Sequence, residues 1–463
     1  MGALHVGSAQ LAADGIDSKK HARYVLGGIQ GEQVRRAAWI AGLVLLSVAF
    51  ASGDRKGLFL LPDKDSPAIE YATRPTTDAV AQLNAKIQQG KVHLKFDDRQ
   101  GYLRSVLGAL DVPIESQLVV FSKTSFQMYR ISPSNPRSLY FNDSVAVGWV
   151  RGGPIVEVAA EDPAQGVIFY TLDQKPAEKP QFVRHDDTCL ACHQAGVPST
   201  RIESVYPAPD GLPNEELGEY ATSDASPFER RWGGWYVTGE TGALRHMGNA
   251  VLKDTTKADS LFASQTLNLA SLKGKFDTDA YLSPYSDIVA LMVFEHEMHV
   301  MNLFTMAGWQ VRYSEYLDQT SPDPVDRLGA TEAVLREAAN SVADALLFAN
   351  EVPLPNAIRG TSGFAEMFSA EGPRDAQGRS LRQFDLQKRL MRYPCSYMIY
   401  SPAFDALPGD LKEQVYDRMW VILSGRDTTK KYVTLSPADR QAIVEILRAT
   451  KRDLPDYFRA PAS

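Results

Sequence analysis

Several things are scarce in this chain. Three cysteines in 463 residues are too few for a disulfide scaffold. Positive charge is not in excess: 49 Lys and Arg against 56 Asp and Glu leave a net charge of −7, so there is no basic footprint for nucleic acid. No apolar run reaches the roughly twenty residues that a membrane-spanning helix needs. Internal repeats and low-complexity tracts are missing too. What remains is ordinary for a globular protein, with 44% hydrophobic and 23% charged residues. The length suffices for two to three domains and a substantial core.

Against that background, the placement of the cysteines is informative. Two of the three stand in Cys189-Leu190-Ala191-Cys192-His193. Chance would place this Cys-x-x-Cys-His pattern in a chain of this composition roughly two times in ten thousand. The spacing has a chemical reason: two thiols three positions apart can each add to one vinyl group of a haem, and the adjacent imidazole then sits under the iron. Other uses fit less well. A structural zinc site needs four ligands, commonly two paired clusters, and no second Cys-x-x-Cys exists. A thioredoxin-like dithiol follows a strand and opens a helix, whereas residues 180–188 read as a polar loop. Cys395 stands alone and reads as a small buried apolar residue.

The five residues resemble the attachment site of the c-type cytochromes. That resemblance implies one covalent haem c, bonded through Cys189 and Cys192, with His193 as proximal iron ligand. It does not extend to the rest of the chain. No helix leads into Cys189 in the sequence pattern, so the small-cytochrome fold is not implied.

Residues 35–53 read as an export signal. Arg35-Arg36 forms a short positive region, Ala37 to Phe50 an apolar one, and Ala49-Phe50-Ala51 a small-x-small cleavage site before Ser52. The natural start is then expected near Val34, with an uncleaved N-terminal anchor as the alternative. Covalent haem attachment takes place outside the bacterial cytoplasm, so the two signals agree on a periplasmic location.

The fold expectation is α+β, with strands early and helices late. Helices are expected at Thr76 to Gln89 and Tyr102 to Leu110. Short strands at 118–121, 145–150, 155–158 and 167–172, separated by Gly- and Pro-containing turns, suggest an antiparallel meander. A loop-rich haem segment follows, with an aromatic strand at 230–239. From Asp287 the pattern turns helical: 287–316, 331–349, 411–423 and 437–449, the last opened by Ser436 as N-cap and Pro437 at the first position. The regions are thus 1–51 (extension and signal), 52–175 (mixed, antiparallel), 176–280 (haem segment) and 281–463 (helical).

The second axial position decides the chemistry of a haem. His246 and Met247, about 54 residues beyond His193, offer both common donors. On a strand they point to opposite faces, so only one of them can reach the iron. A second constellation is Glu295-His296-Glu297-Met298-His299, within a helix that is apolar nearly all round. Glu295, His299 and Asn302 share one face of it. The zinc-peptidase pattern His-Glu-x-x-His fails here at Val300. Glu295, His296 and His299 offer a metal site, a plain structural network, or a distal acid and base. Arg184 and His185 are candidate partners of haem propionates, with a solvated loop as the alternative; Tyr140-Phe141-Asn142-Asp143 is a candidate polar contact to the haem pocket, with plain turn chemistry at Asn142-Asp143 as the alternative.

These readings lead to a periplasmic mono-haem electron-transfer protein, working with a redox partner. The alternatives are a haem-c enzyme of peroxidase or oxygenase type, acting on a small molecule with Glu295 or His299 as acid or base, and a haem-based sensor or interaction module. Size favours the alternatives, since a carrier needs only about a hundred residues around one haem.

Overall fold

Seven strands, all antiparallel to their neighbours, form the central sheet of this α+β protein. A computed structural model describes residues 62–194, 196–320 and 330–458. The chain divides between Gly57 and Leu58, and everything described belongs to the unit Leu58–Ser463. The export signal expected at 35–53 lies outside the described residues. Among the described residues, no helix is long and apolar enough to cross a membrane.

Two helices come first, α1 (Ala79–Gln88) and α2 (Leu103–Ala109). Asp78 caps α1 by accepting from Val80 N and Ala81 N. The strands β1 (Leu118–Val120), β2 (Arg137–Asn142), β3 (Val145–Val150), β4 (Ile155–Asp162) and β5 (Gly166–Asp173) then make the expected meander. β6 (Phe182–Arg184) adds one edge, and β9 (Trp235–Tyr236) the other, beside β1. A separate pair, β7 (Ile202–Val205) with β8 (Glu219–Thr222), lies between them in sequence.

Four of these strands, β2, β6, β7 and β8, were not expected: β7 and β8 stand in the segment that read as loop-rich, and the aromatic strand expected at 230–239 shrinks to β9. β6 stands where residues 180–188 read as a loop; only three residues pair, too few to show a period. β2 was hidden by polar Arg137 and Ser138 at its start. Tyr140 and Phe141 belong to it, and the turn stands at Asn142-Asp143 as expected, with Asn142 Oδ1 accepting from Ser144 N and Val145 N.

Alternation sorts the two faces of the sheet. Tyr140, Val147, Trp149, Val156 and Val158 point to a core shared with α1 and α2. Leu118, Val120, Leu139 and Phe141 point the other way, against α3 (Ile288–Thr320). Of the remaining helices, α4 (Ala330–Leu346), α5 (Phe364–Ala370) and α6 (Pro402–Asp405) pack on α3, α7 (Gly409–Leu423) packs on α4, and α8 (Pro437–Thr450) on α7. Ser436 and Asp439 complete a capping box at the start of α8, with Pro437 just inside it. Cys395 is fully buried in the helical core, as a small apolar residue would be.

α3 carries the site, so its anchorage matters. Its first turn is fixed by the buried carboxylate of Asp287, which accepts from Val289 N at 2.8 Å, Thr361 N at 2.7 Å and Ser362 N at 2.8 Å. Its middle approaches the sheet at Gly166, where a Cβ would stand 2.4 Å from Thr305 Cγ2. Asp287→Ala removes a cap and leaves three backbone donors, one of them buried, without their acceptor. The expected loss is about 2–4 kcal/mol of unfolding free energy, read from urea denaturation.

Candidate functional site

The segment after β6 coils into one helical turn. Ala191 N donates to Asp187 O at 3.1 Å, and Cys192 N and His193 N both donate to Cys189 O, at 3.2 and 3.0 Å. Residues three and four apart share a helical face. Cys189, Cys192 and His193 are therefore presented together, while Leu190 turns inward and is buried. Both thiols are free, Cys192 exposed and Cys189 half-buried. Burial pushes the Cys189 thiol up to about 11, so it is held protonated.

His193 is oriented from two sides. Its ring lies 4.9 Å from that of Phe169 on β5, tilted by 31°. Its Nδ1 lies 3.2 Å from the Ser199 carbonyl oxygen, to which it donates in the matching tautomer. That tautomer leaves the Nε2 lone pair free, as a metal-ligating imidazole requires. Burial, and then the cations Arg137 and Arg201, hold the imidazole below its ordinary pKa, so the ring is neutral at pH 7. Arg137 pairs with Glu157 at 3.2 Å, and Arg201 pairs with Glu203 at 3.2 Å while also donating to Cys192 O.

The donor set fits a c-type haem: two free thiols and a neutral imidazole with one open nitrogen, on one face of one turn. The porphyrin supplies four iron ligands itself, so a protein cage is not required. Among the described residues, no group of three or more His, Cys, Asp and Glu side chains is placed to hold a metal ion.

The other expected residues have partners of their own. Arg184 pairs with Asp186 at 2.6 Å, donates to Tyr71 O, and lies over the Tyr71 ring. His185 Nε2 meets Thr171 Oγ1 at 2.8 Å. His246 is buried; Gly248 N donates to its Nδ1 at 3.0 Å, its ring meets Trp232 edge-on, and burial lowers its pKa to about 4. Met247 packs in a small cluster with Ala250, Leu252 and Leu261, and its sulfur accepts from Ser204 Oγ at 3.5 Å. Among the described residues, no hydrogen bond, ion pair or ring contact joins His246 or Met247 to the turn 189–193.

α3 reaches the haem segment through Asn302, the third member of the expected polar stripe. Its amide holds both backbone groups of Thr200, while Thr200 Oγ1 donates to Met298 Sδ at 2.7 Å. The other two members differ. Glu295 is fully buried in a salt bridge to Arg231 at 3.0 Å. His299 is partly buried without such a bond, and burial depresses its pKa.

His296 is held at both nitrogens, Nδ1 3.2 Å from Asp224 Oδ2 and Nε2 2.7 Å from Ser396 Oγ. An Asp-His-Ser order serves some hydrolases. Here Ser396 is fully buried and also caps the turn 397–400, so the chain of bonds ties α3 to that turn. Glu295 and His296 are thus committed to a structural network and not to a shared metal. Arg231, Asp224 and Ser396 were missed by sequence reasoning. The available signal was that charged groups on an all-round apolar helix need buried partners, but their identity depends on the fold. No family model, curated protein or solved structure matches this chain.

Proposed function

We propose that this protein is an exported, periplasmic mono-haem c-type redox protein. Haem c is bonded through Cys189 and Cys192, with His193 Nε2 as proximal ligand. What carries the reading is the turn 189–193, where two free thiols and an imidazole with its Nδ1 engaged share one face. The haem supplies a one-electron couple at its iron. The chain's own part is to orient His193 through Phe169 and Ser199 and to keep the imidazole neutral. Electron transfer to a redox partner protein is the function in this reading, and the apolar stretch at 35–53 supports export.

A second reading, a haem-c enzyme or sensor with an open sixth position, is favoured by one observation. His246 and Met247 already have partners away from the turn, so neither is poised as a distal ligand. Optical spectroscopy with carbon monoxide separates the two. A low-spin spectrum that carbon monoxide leaves unchanged, and that His246→Ala or Met247→Ala converts to high spin, supports the carrier. A high-spin spectrum that shifts with carbon monoxide, and that neither substitution alters, supports the open site.

A further inference from the structure

A cavity of about 230 Å³ opens between β2, α3, α5 and the segment that follows α2. Phe141, Phe364 and Phe368 form its walls. Glu297, from α3, is fully buried, with Oε1 accepting from the Tyr397 hydroxyl and Oε2 without a partner. Arg382 lies over the rings of Phe368 and Tyr397, at 4.5 Å from each. Its charge faces two acids: Nη2 bonds Asp143, and Nη1 lies 3.6 Å from Glu371 Oε2, too far for a hydrogen bond.

Charge therefore does not balance. Asp111, Asp143, Glu297 and Glu371 line the cavity with Arg382 as the one cation among its lining residues. A buried carboxyl oxygen with no donor is costly unless something supplies one. Among the described residues, these carboxylates form no group placed to hold a metal ion. Phenyl rings beside an uncompensated acid suit a cation that is itself partly apolar. We propose that this cavity binds a small organic ammonium, its N–H donating to Glu297 Oε2 and its carbon body packing on Phe141 and Phe364, since Arg382 already covers Phe368.

In the ligand-free protein a proton takes the cation's place. Burial, and then the Asp143 charge, raise the Glu297 pKa to about 8, against the opposing Tyr397 hydrogen bond and Arg382 charge, with Glu371 adding to the rise. Cation binding expels that proton. Affinity is then lowest in acid, rises about tenfold per pH unit up to about 8, and levels off above it, where Glu297 is already ionised.

The test is calorimetric titration of the full exported protein with benzylamine, protonated throughout pH 6 to 8, and with benzyl alcohol as its neutral counterpart. Benzylamine is expected to bind with the stated pH slope, and benzyl alcohol at least tenfold more weakly. Glu297→Gln is expected to lose tenfold or more in benzylamine affinity and to flatten the pH dependence. Met367→Trp, which fills the cavity without touching Glu297, is expected to abolish binding while the thermal transition stays cooperative. Equal binding of alcohol and amine, pH-independent amine binding, or no heat with the folded wild type overturns the proposal; the last outcome leaves the cavity to water. None of these readouts depends on the haem.

Discussion

On the proposed reading, replacing Cys189 and Cys192 together by Ala is expected to abolish covalent haem attachment completely. Two thioether bonds need two thiols, and the turn that presents them has no third: Cys395 is buried in the helical core. Each single substitution leaves one bond and a strained, incompletely matured product. His193→Ala keeps both thiols and removes the imidazole, so it is expected to retain attachment while changing the iron spectrum. The measurement is intact mass together with haem-stained denaturing electrophoresis. Loss of the stain in the double variant, with a folded circular-dichroism spectrum, separates loss of attachment from loss of fold.

Arg231→Met is expected to cost about 3–5 kcal/mol of unfolding free energy, the largest stability effect of any single substitution considered. Arg231 and Glu295 are almost entirely excluded from water, with side-chain exposures of 2% and 0%. Arg231 also donates from Nε to Ser226 O and from Nη2 to Asp224 O, both at 2.8 Å. Removing the guanidinium takes this partner from the buried Glu295 carboxylate of α3 and from the Asp224 and Ser226 carbonyls. Burial already raises the Glu295 pKa against the Arg231 charge. In the variant the opposing charge is gone, so the Glu295 pKa rises further. Folding then binds a proton that the unfolded chain releases above its own carboxylate pKa. The variant's deficit therefore grows as pH rises above the ordinary carboxylate range. The double variant Arg231→Met, Glu295→Leu removes both charges and is expected to recover most of the loss. Urea denaturation at pH 5 and pH 8 checks both statements.

The order of elements was legible in the sequence where periodicity or capping was strong. Asp78 at α1, the 145–150 and 167–172 strands, Asp287 at α3 and Ser436 with Pro437 at α8 each follow from local chemistry. β2 and β6 were not legible, because a strand with polar ends or of three residues has no period to detect. The turn 189–193 was legible because its chemistry is local: five consecutive residues hold every group. The networks on α3 were not. His296 finds its partners at Asp224 and Ser396, which lie 72 and 100 residues away in sequence. Asn302 was placed on the right face of the helix, but its target, the Thr200 backbone, carries no side-chain signature at all. The cavity at Glu297 was equally hidden, since its walls come from β2, α3 and α5.

Mass spectrometry on the wild-type protein, produced in a host competent for cytochrome maturation, bears most directly on the central claim. The account predicts a chain heavier than its polypeptide by one haem, with Soret absorbance that survives denaturation and acid extraction. A bare polypeptide mass with no Soret band, from a host that matures a control cytochrome normally, contradicts it.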